Sequence, residues 1–323
     1  MSKRIVILGA TGLIGRHLCN YLYHHGYRLV VLDPDPQAAR EQVPAADYVQ
    51  WEPGDPTAAW YDYFDGAHGV INLPQDCFPT WRITPASLKA MLMERVVSTY
   101  ALSHAIALSD IDRPRVFLTG SSVSIYGYHN IDDQPITEET PPGDGIWGQT
   151  VRLWEEAASE VEALGVRTAA LRLGYVLDSQ RGVLPWHVRR VAGGLMMQTA
   201  DEWRPWIHVK DVVRLIAFAL EEESLRGPLN LTAPRPVRSQ EFMQTMAEVT
   251  GAAFHVSLPY YPLRAMLGRG TDLITRGRRV LPVKAQRAGF RYQYPTLRVA
   301  LRDLFAEQNI VPALVRTRAS STV

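Results

Sequence analysis

Glycines at positions 9, 12 and 15 make the first spacing in this chain that can do chemistry. They follow four apolar residues, Ile5 to Leu8, and they open a helical pattern with Ile14, Leu18, Tyr21 and Leu22 on one face. Strand, glycine turn and helix in that order form an anion cradle. Gly9 permits the tight turn, Gly12 lets backbone approach a pyrophosphate without a Cβ, and Gly15 lets the helix pack close to the strand. The N–H groups at the helix start then face the anion. Gly9, Thr11, Gly12, Leu13, Ile14 and Gly15 are therefore expected to wrap the diphosphate of a dinucleotide. The alternative is a glycine-rich turn that holds no ligand.

A second position sharpens this expectation. After His24-His25-Gly26, a helix stop, Arg28 to Leu32 reads as a strand ending at Asp33, 18 residues beyond Gly15. A carboxylate at the tip of the second strand accepts hydrogen bonds from an adenosine ribose and repels a 2′-phosphate. No arginine follows it, only Pro34, Asp35 and Pro36. The residues point to NAD(H) as the cofactor, with NADP(H) the weaker candidate. A turn-forming Asp before a proline is the other reading.

Stepping outward, these positions need a sheet to carry them. Tyr48 to Trp51 reads as a third strand, His68 to Leu73 as a fourth, and Val116 to Thr119 as a fifth that continues into Gly120-Ser121-Ser122. Ala86 to Leu108 reads as a long helix with Leu88, Met91, Leu92, Val96, Leu102 and Ile106 at helical spacing. Residues 147–164 read as another helix, closed by Gly165, before a sixth strand from Val166 to Leu173. Alternating strands and helices mean an α/β fold with a doubly wound parallel sheet. The alternation fails over residues 176–202, returns as strand then helix from Trp206 to Leu220, and gives way beyond Gly227 to two or three further helices with a Pro-Tyr-Tyr-Pro turn at 259–262. The last dozen residues look weakly ordered.

At 323 residues the chain exceeds one average domain, so one large α/β domain with a smaller lobe is expected. No stretch approaches about 18 uninterrupted apolar residues, and no signal peptide is read, so the expected place is the cytoplasm. Two cysteines, Cys19 and Cys77, suggest neither a disulfide framework nor a metal site. Charge is uneven: Val249 to Val323 carries a net +9, against −8 in the preceding 248 residues. Eleven of its twelve basic residues are arginine, which suits bidentate binding of phosphate or carboxylate, though a solvated basic face is an equal reading. No nucleic-acid reader motif accompanies that charge.

Several motifs together resemble the extended short-chain dehydrogenase/reductase superfamily, in its sugar-nucleotide epimerase group. These are Thr-Gly-Leu-Ile-Gly at 11–15, Val-Ile-Asn-Leu at 70–73, Ser-Ser-Val-Ser-Ile-Tyr-Gly at 121–127 and Thr-Glu-Glu-Thr-Pro-Pro-Gly-Asp at 137–144. They continue with Leu-Arg-Leu-Gly-Tyr-Val-Leu at 171–177, Trp-Ile-His-Val-Lys-Asp-Val at 206–212, Gly-Pro-Leu-Asn-Leu-Thr-Ala-Pro at 227–234 and Gly-Phe-Arg-Tyr-Gln-Tyr-Pro-Thr-Leu at 289–297. The last two resemble, more narrowly, an atypical epimerase-family branch that includes cell-division-inhibitor-like proteins. The resemblance covers about residues 3–305. It implies a Rossmann domain over 1–175 and 203–231, a small α-rich substrate lobe over 176–202 and 232–310, a tail over 311–323, and a bound nicotinamide cofactor that also meets Asn72 and Leu73.

The resemblance implies departures as well. The superfamily uses a Tyr-x-x-x-Lys pair for proton transfer. Placed by Glu155, this chain has Trp147 and Val151 there, and a one-residue shift gives Gly148 and Arg152. Where the fourth strand of relatives runs into Ala-Gly, this chain has Leu73-Pro74-Gln75. Val97 stands where the long helix usually has Asn.

The remaining catalytic candidates are Ser122, Tyr126 and His208. Ser122 lies four residues before Tyr126, at the offset of the family's substrate-binding hydroxyl, or it caps the strand end. Tyr126 is either catalytic or structural. His208 either shuttles protons or anchors the lobe junction. Arg82 and Arg172 can hold a substrate anion, and Trp147 can stack on a ring or plug the pocket. Asp76 and Cys77 sit on the expected rim. Three functions fit: a cofactor-dependent epimerase, dehydratase or reductase on a small or nucleotide-linked substrate; a non-redox isomerase or cyclase; or an inactive dinucleotide sensor. The helices over 86–108 and 147–164 are also the expected homodimer contact, because the first carries Met91, Met93, Val97, Tyr100 and Ala101 beside its main apolar stripe.

Overall fold

A computed structural model describes residues 2–45, 47–53, 59–73, 85–109, 111–127, 133–144, 146–182, 184–185, 197–198, 202–250, 256–257 and 277–307. Side chains in the third helix are described from residue 93, and in the fourth from residue 148. The Pro-Tyr-Tyr-Pro segment, Asp76, Cys77, Arg82 and the C-terminal dozen residues lie outside the described residues.

The chain alternates as its pattern demands. Strand β1 (Arg4–Leu8) leads to α1 (Leu13–His24), β2 (Arg28–Asp33), α2 (Pro36–Arg40), β3 (Asp47–Gln50), β4 (Gly69–Asn72), α3 (Pro85–Leu108) and β5 (Val116–Ser122). Helix α4 (Ile146–Ser159) runs into a 3-10 turn over Glu160–Leu164, and Gly165 ends it at φ +82°. The one helix expected over 147–164 is thus two helical segments. Strands β6 (Arg167–Leu173) and β7 (Tyr175–Leu177) follow, then β8 (Met197–Gln198), β9 (Trp203–Arg204) and β10 (Trp206–His208). The chain continues through α5 (Val209–Glu221), β11 (Gly227–Leu231), β12 (Val237–Arg238), α6 (Ser239–Thr250), β13 (Val256–Ser257), α7 (Val283–Arg287) and α8 (Leu297–Glu307).

Seven strands form one parallel sheet in the order β11-β6-β5-β4-β1-β2-β3. Alternate residues of each strand enter opposite layers, as a pleat requires. Ile5 and Ile7 join Leu29, Val31 and Ile71 beneath α1 and α5. Val6 and Leu8 join Val30, Leu32, Val70 and Phe117 beneath α3 and the end of α4. Each fully buried Leu or Ile in these layers contributes about 1.5–3 kcal/mol. A third cluster, with Leu177, Trp206, Phe242, Met246, Leu301 and Leu304, packs β7 and β10 against α6 and α8.

The strand order places β1 between β2 and β4. The crossovers leave to opposite sides there, so the crevice at the C-terminal ends of β1 and β4 is where a doubly wound sheet receives a ligand. Among the described residues, no helix is long and apolar enough to cross a membrane.

Candidate functional site

The glycine turn closes over the end of β4. Gly9 has φ +82°, and a Cβ on it would lie 2.2 Å from the Leu73 carbonyl oxygen. A Cβ on Gly15 would lie 2.2 Å from the Gly9 carbonyl oxygen, so strand, turn and helix touch backbone to backbone. Gly12 is the N-cap of α1 and donates its N–H to the Gly9 carbonyl at 3.2 Å. No acid lies in the first turn of α1. The positive end of the helix dipole therefore faces the crevice without a carboxylate from its own first turn. Thr11, Leu13 and Ile14 sit in the same turn.

Asp33 ends β2 and is buried. Its Oδ2 accepts from the Thr11 hydroxyl at 3.0 Å, and its Oδ1 accepts from the Asp35 N–H at 2.9 Å. Those two bonds fix the carboxylate beside the glycine loop. Asn72 is buried at the end of β4, and its Nδ2 donates to Thr99 Oγ1 on α3 at 2.8 Å. The Leu73 N–H donates to the Leu8 carbonyl at 3.0 Å, which continues the β1–β4 ladder up to the cradle. A turn that a Cβ would fill, an unopposed helix start and a fixed acid together fit an adenine dinucleotide.

A second polar group lies at the ends of β5, β6 and β11. Arg172 and Glu155 form a bidentate pair, Nε to Oε1 at 2.9 Å and Nη2 to Oε2 at 2.8 Å. Ser121 Oγ adds a bond to Glu155 Oε1 at 2.5 Å. Arg172 Nη1 donates to the Tyr126 hydroxyl at 2.8 Å, and that hydroxyl donates to Asn230 Oδ1 at 2.7 Å. Asn230 Nδ2 donates to the Leu281 carbonyl at 3.0 Å. Glu138 completes the group by accepting from the backbone N–H of Asn230 at 3.1 Å. Burial works against the Arg172 charge, but the hydrogen bonds and charge of Glu155 outweigh it and hold the guanidinium above its ordinary pKa. Burial pushes the Tyr126 hydroxyl up, against the pull of Arg172. Tyr126 thus remains protonated at neutral pH.

Ser122 caps the turn after β5, accepting from the Ser124 N–H at 3.1 Å and the Ser124 hydroxyl at 2.8 Å. His208 is fully buried at the start of α5. Its Nδ1 accepts from the Lys210 N–H at 3.1 Å, its Nε2 lies 3.2 Å from Asp303 Oδ2, and its ring stacks on Tyr294 at 3.8 Å. Asp211, from the same motif, accepts from the backbone N–H groups of Gln293 and Tyr294 at 2.9 and 2.8 Å. The motifs at 206–212 and 289–297 therefore recognise each other and join α5 to the C-terminal helix.

Val151, set by the resemblance at the lysine position, is buried with Ile125, Tyr126, Ile136 and Val280. Val97 differs from expectation in its surroundings. It is 51% exposed, whereas Thr99, about 200° around the helix, faces Asn72. Val97 and Val151 therefore lie in different surroundings, one open to water and one in the apolar cluster of Ile125 and Val280. Trp147 lies in the first turn of α4, with its side chain outside the description. Cys19 is buried, and burial pushes its thiol up to about 12, as suits a small packing residue.

Sequence reasoning missed Glu155, Glu138 and Asn230 as members of one group. Asn230 carries a legible signal, an amide between two leucines of a short strand, because a buried amide must find partners.

The model of the NAD dependent epimerase/dehydratase family matches residues 5–231, the stretch that holds the cradle and the Arg172–Glu155 pair. The chain belongs to this family. A model for a domain of unknown function, DUF1731, matches residues 258–304, which include the 289–297 motif. Among curated relatives, epimerase family protein YfhF of Bacillus subtilis is 31% identical over 312 residues, covering 95% of this chain and 99% of the relative. The chloroplastic epimerase family protein SDR39U1 homolog of Arabidopsis thaliana is 32% identical over 307 residues, covering 93% and 86%. Among solved structures, human epimerase family protein SDR39U1 with NADPH superposes with a TM-score of 0.80 at 23% identity, covering 93% of this chain and 98% of that one. UDP-glucose 4-epimerase of Thermotoga maritima with UDP-glucose superposes with a TM-score of 0.74 at 18% identity, covering 95% and 99%. These likenesses carry the α/β fold of the family's nucleotide-binding domain.

Proposed function

We propose that this epimerase-family chain binds NAD(H) and acts as an epimerase, dehydratase or reductase on a small or nucleotide-linked anionic substrate, without the Tyr-x-x-x-Lys proton set. The observation that carries the reading is the cradle: Gly9 at φ +82° under the Leu73 carbonyl, with Asp33 fixed by Thr11. Bound there, the nicotinamide group supplies hydride transfer. The chain's own residues bind and orient. Asp33 accepts from the adenosine ribose, the start of α1 faces the diphosphate, and Asn72 and Leu73 line the approach to the nicotinamide half.

Cofactor choice turns on two opposed observations. The human relative's structure holds NADPH. In this chain the carboxylate of Asp33 opposes a 2′-phosphate, and Pro34, Asp35 and Pro36 follow it. The acid is the reason for proposing NAD(H) over NADP(H).

Within this reading Ser122, which caps the turn after β5, offers its hydroxyl to the substrate, and Arg82 and Trp147 contact it. Arg172, with Nε, Nη1 and Nη2 engaged by Glu155 and Tyr126, braces the pocket wall, and Tyr126 shares that task. His208 holds the lobe junction. The burial of Val151 among apolar side chains favours a second reading, a non-redox isomerase or a dinucleotide sensor on the same fold.

The test is a titration with NADH and NADPH, followed by NADH absorbance across a panel of carbonyl compounds. Tighter NADH binding with substrate-dependent oxidation supports the proposal. Tight NADH binding with neither NADH oxidation nor conversion of nucleotide-linked sugars on product analysis supports the second reading, because an epimerase or dehydratase returns its hydride within each turnover and consumes no NADH. Tighter NADPH binding overturns the cofactor assignment.

A further inference from the structure

The segment after β7 leaves the sheet and lies along the rim of the glycine loop. Asp178 fixes it. One carboxylate oxygen, Oδ1, accepts from the backbone N–H groups of Gln180 and Arg181 at 2.9 and 2.7 Å, which shapes the turn. The other, Oδ2, meets His17 Nε2 of α1 at 2.8 Å. Asp178 has only 2% of its side chain exposed, so this tie is a built contact rather than a chance surface pair.

The tie has a spatial consequence. Arg181 Nη1 lies 3.3 Å from the Thr11 carbonyl, in the middle of the glycine loop. Gly182, at φ +75°, leaves 2.9 Å between an added Cβ and Leu13 Cδ1, so the turn is seated on the first residue of α1. A guanidinium from outside the nucleotide-binding sheet is thereby placed beside the backbone that faces the diphosphate. Arg181 is exposed, so its side chain reorients toward an anion with little loss of packing. Guanidinium and phosphate form charge-assisted, often bidentate hydrogen bonds. Arg16 also donates to the Thr11 carbonyl, through Nε at 2.9 Å, but its other end is held by Gln42.

We propose that Arg181 grips the diphosphate of the bound dinucleotide, and that the His17–Asp178 pair positions it over the loop. The inference rests on the cofactor reading above. It makes the turn from Asp178 to Gly182 part of the cofactor site.

The test uses the full chain and follows binding, not turnover. NAD+ and ADP-ribose are titrated by calorimetry against wild type, Arg181→Ala and Arg181→Lys, and adenosine by competition with NADH fluorescence. Arg181→Ala should raise the Kd of NAD+ and ADP-ribose about tenfold, leaving adenosine, which lacks the diphosphate, unchanged. Arg181→Lys should recover part of the loss. His17→Ala should weaken NAD+ less than Arg181→Ala does, with adenosine again unchanged. If wild type binds NAD+ and Arg181→Ala binds it equally well, the clamp is wrong and the cofactor reading stands. An equal loss for adenosine and NAD+ marks a structural role and also overturns the clamp. If wild type binds no adenine dinucleotide, both proposals fall.

Discussion

Arg172 and Glu155 meet as a two-pronged fork inside the protein, with 4% and 15% of their side chains exposed. Such a pair stabilises little relative to an apolar replacement, but removing one partner strands a buried charge. Glu155→Ala should therefore destabilise the fold by about 3–5 kcal/mol, read as a lower urea midpoint. Glu155→Gln, which keeps an acceptor, should cost less. An unchanged midpoint in Glu155→Ala would mean that water reaches Arg172 and that the pair is not the brace described above.

Two glycines with the same backbone conformation separate binding from folding. Gly9 and Gly26 have φ +82° and +80°. Alanine at either position bears the left-handed strain of about 1–2 kcal/mol. Only at position 9 does the new Cβ meet backbone, the Leu73 carbonyl at 2.2 Å; at Gly26 nothing lies within 4 Å. Gly9→Ala should raise the Kd for NADH by more than about tenfold, because a misplaced cradle loses its charge-assisted contacts. Gly26→Ala should lower Tm slightly and leave the Kd unchanged. Equal Kd values for the two variants would remove the cradle from the cofactor site.

What the sequence made legible was local. The Ile5–Leu8 run, the glycine spacing and the His25-Gly26 stop each report on a few neighbouring residues, and β1, α1 and β2 lie where those signals put them. The seventh strand was not read, because Gly227–Leu231 has only Leu229 and Leu231 as apolar markers and owes its place to pairing with β6. The fork of Arg172 and Glu155 and the tie of His17 to Asp178 join residues 17 and 161 positions apart. No periodicity encodes such distances; the topology creates them. The short strand β7 was missed for the same reason. Strands β7 and β10 have only three residues each and find each other across the crossover.

The tie between Asp178 and α1 sets an acid limit on stability. Burial would raise the Asp178 carboxyl, but the hydrogen bonds from His17 and from the Arg181 and Gln180 N–H groups outweigh it, so its pKa lies below the usual 3.8. The unfolded chain then takes up this proton first as pH falls. The stabilisation is fully present above the unfolded pKa near 3.8 and is lost as pH drops through the lower folded value. Asp178→Asn should cost about 1.5–3 kcal/mol at pH 7, the worth of hydrogen bonds to a charged group. The difference from wild type should shrink below pH 4. Urea midpoints between pH 3 and 7 check this, and a difference that stays constant with pH would show that the carboxylate charge plays no part.

Helix α3 is apolar on two sides. Val96, Leu102 and Ile106 are buried inward, while Met93, Val97, Tyr100 and Leu108 are 43%, 51%, 43% and 54% exposed. Those four recur at three-, four- and eight-residue steps, so they form one stripe along the outer face. Helix α4 lies alongside, joined by the Ser103 hydroxyl to the Ala157 carbonyl at 2.8 Å, and it exposes Leu153 at 48%. An apolar stripe open to water, with Leu153 on the neighbouring helix also exposed, suits a second copy of the same face, which a twofold axis brings together. The chain of 36.2 kDa should therefore run as a dimer in light scattering at low micromolar concentration. Met93→Glu with Val97→Glu should shift it to monomer, and because both side chains already face outward, the monomer should keep its helical circular dichroism. A wild-type mass equal to one chain would leave this stripe without a partner of its own kind.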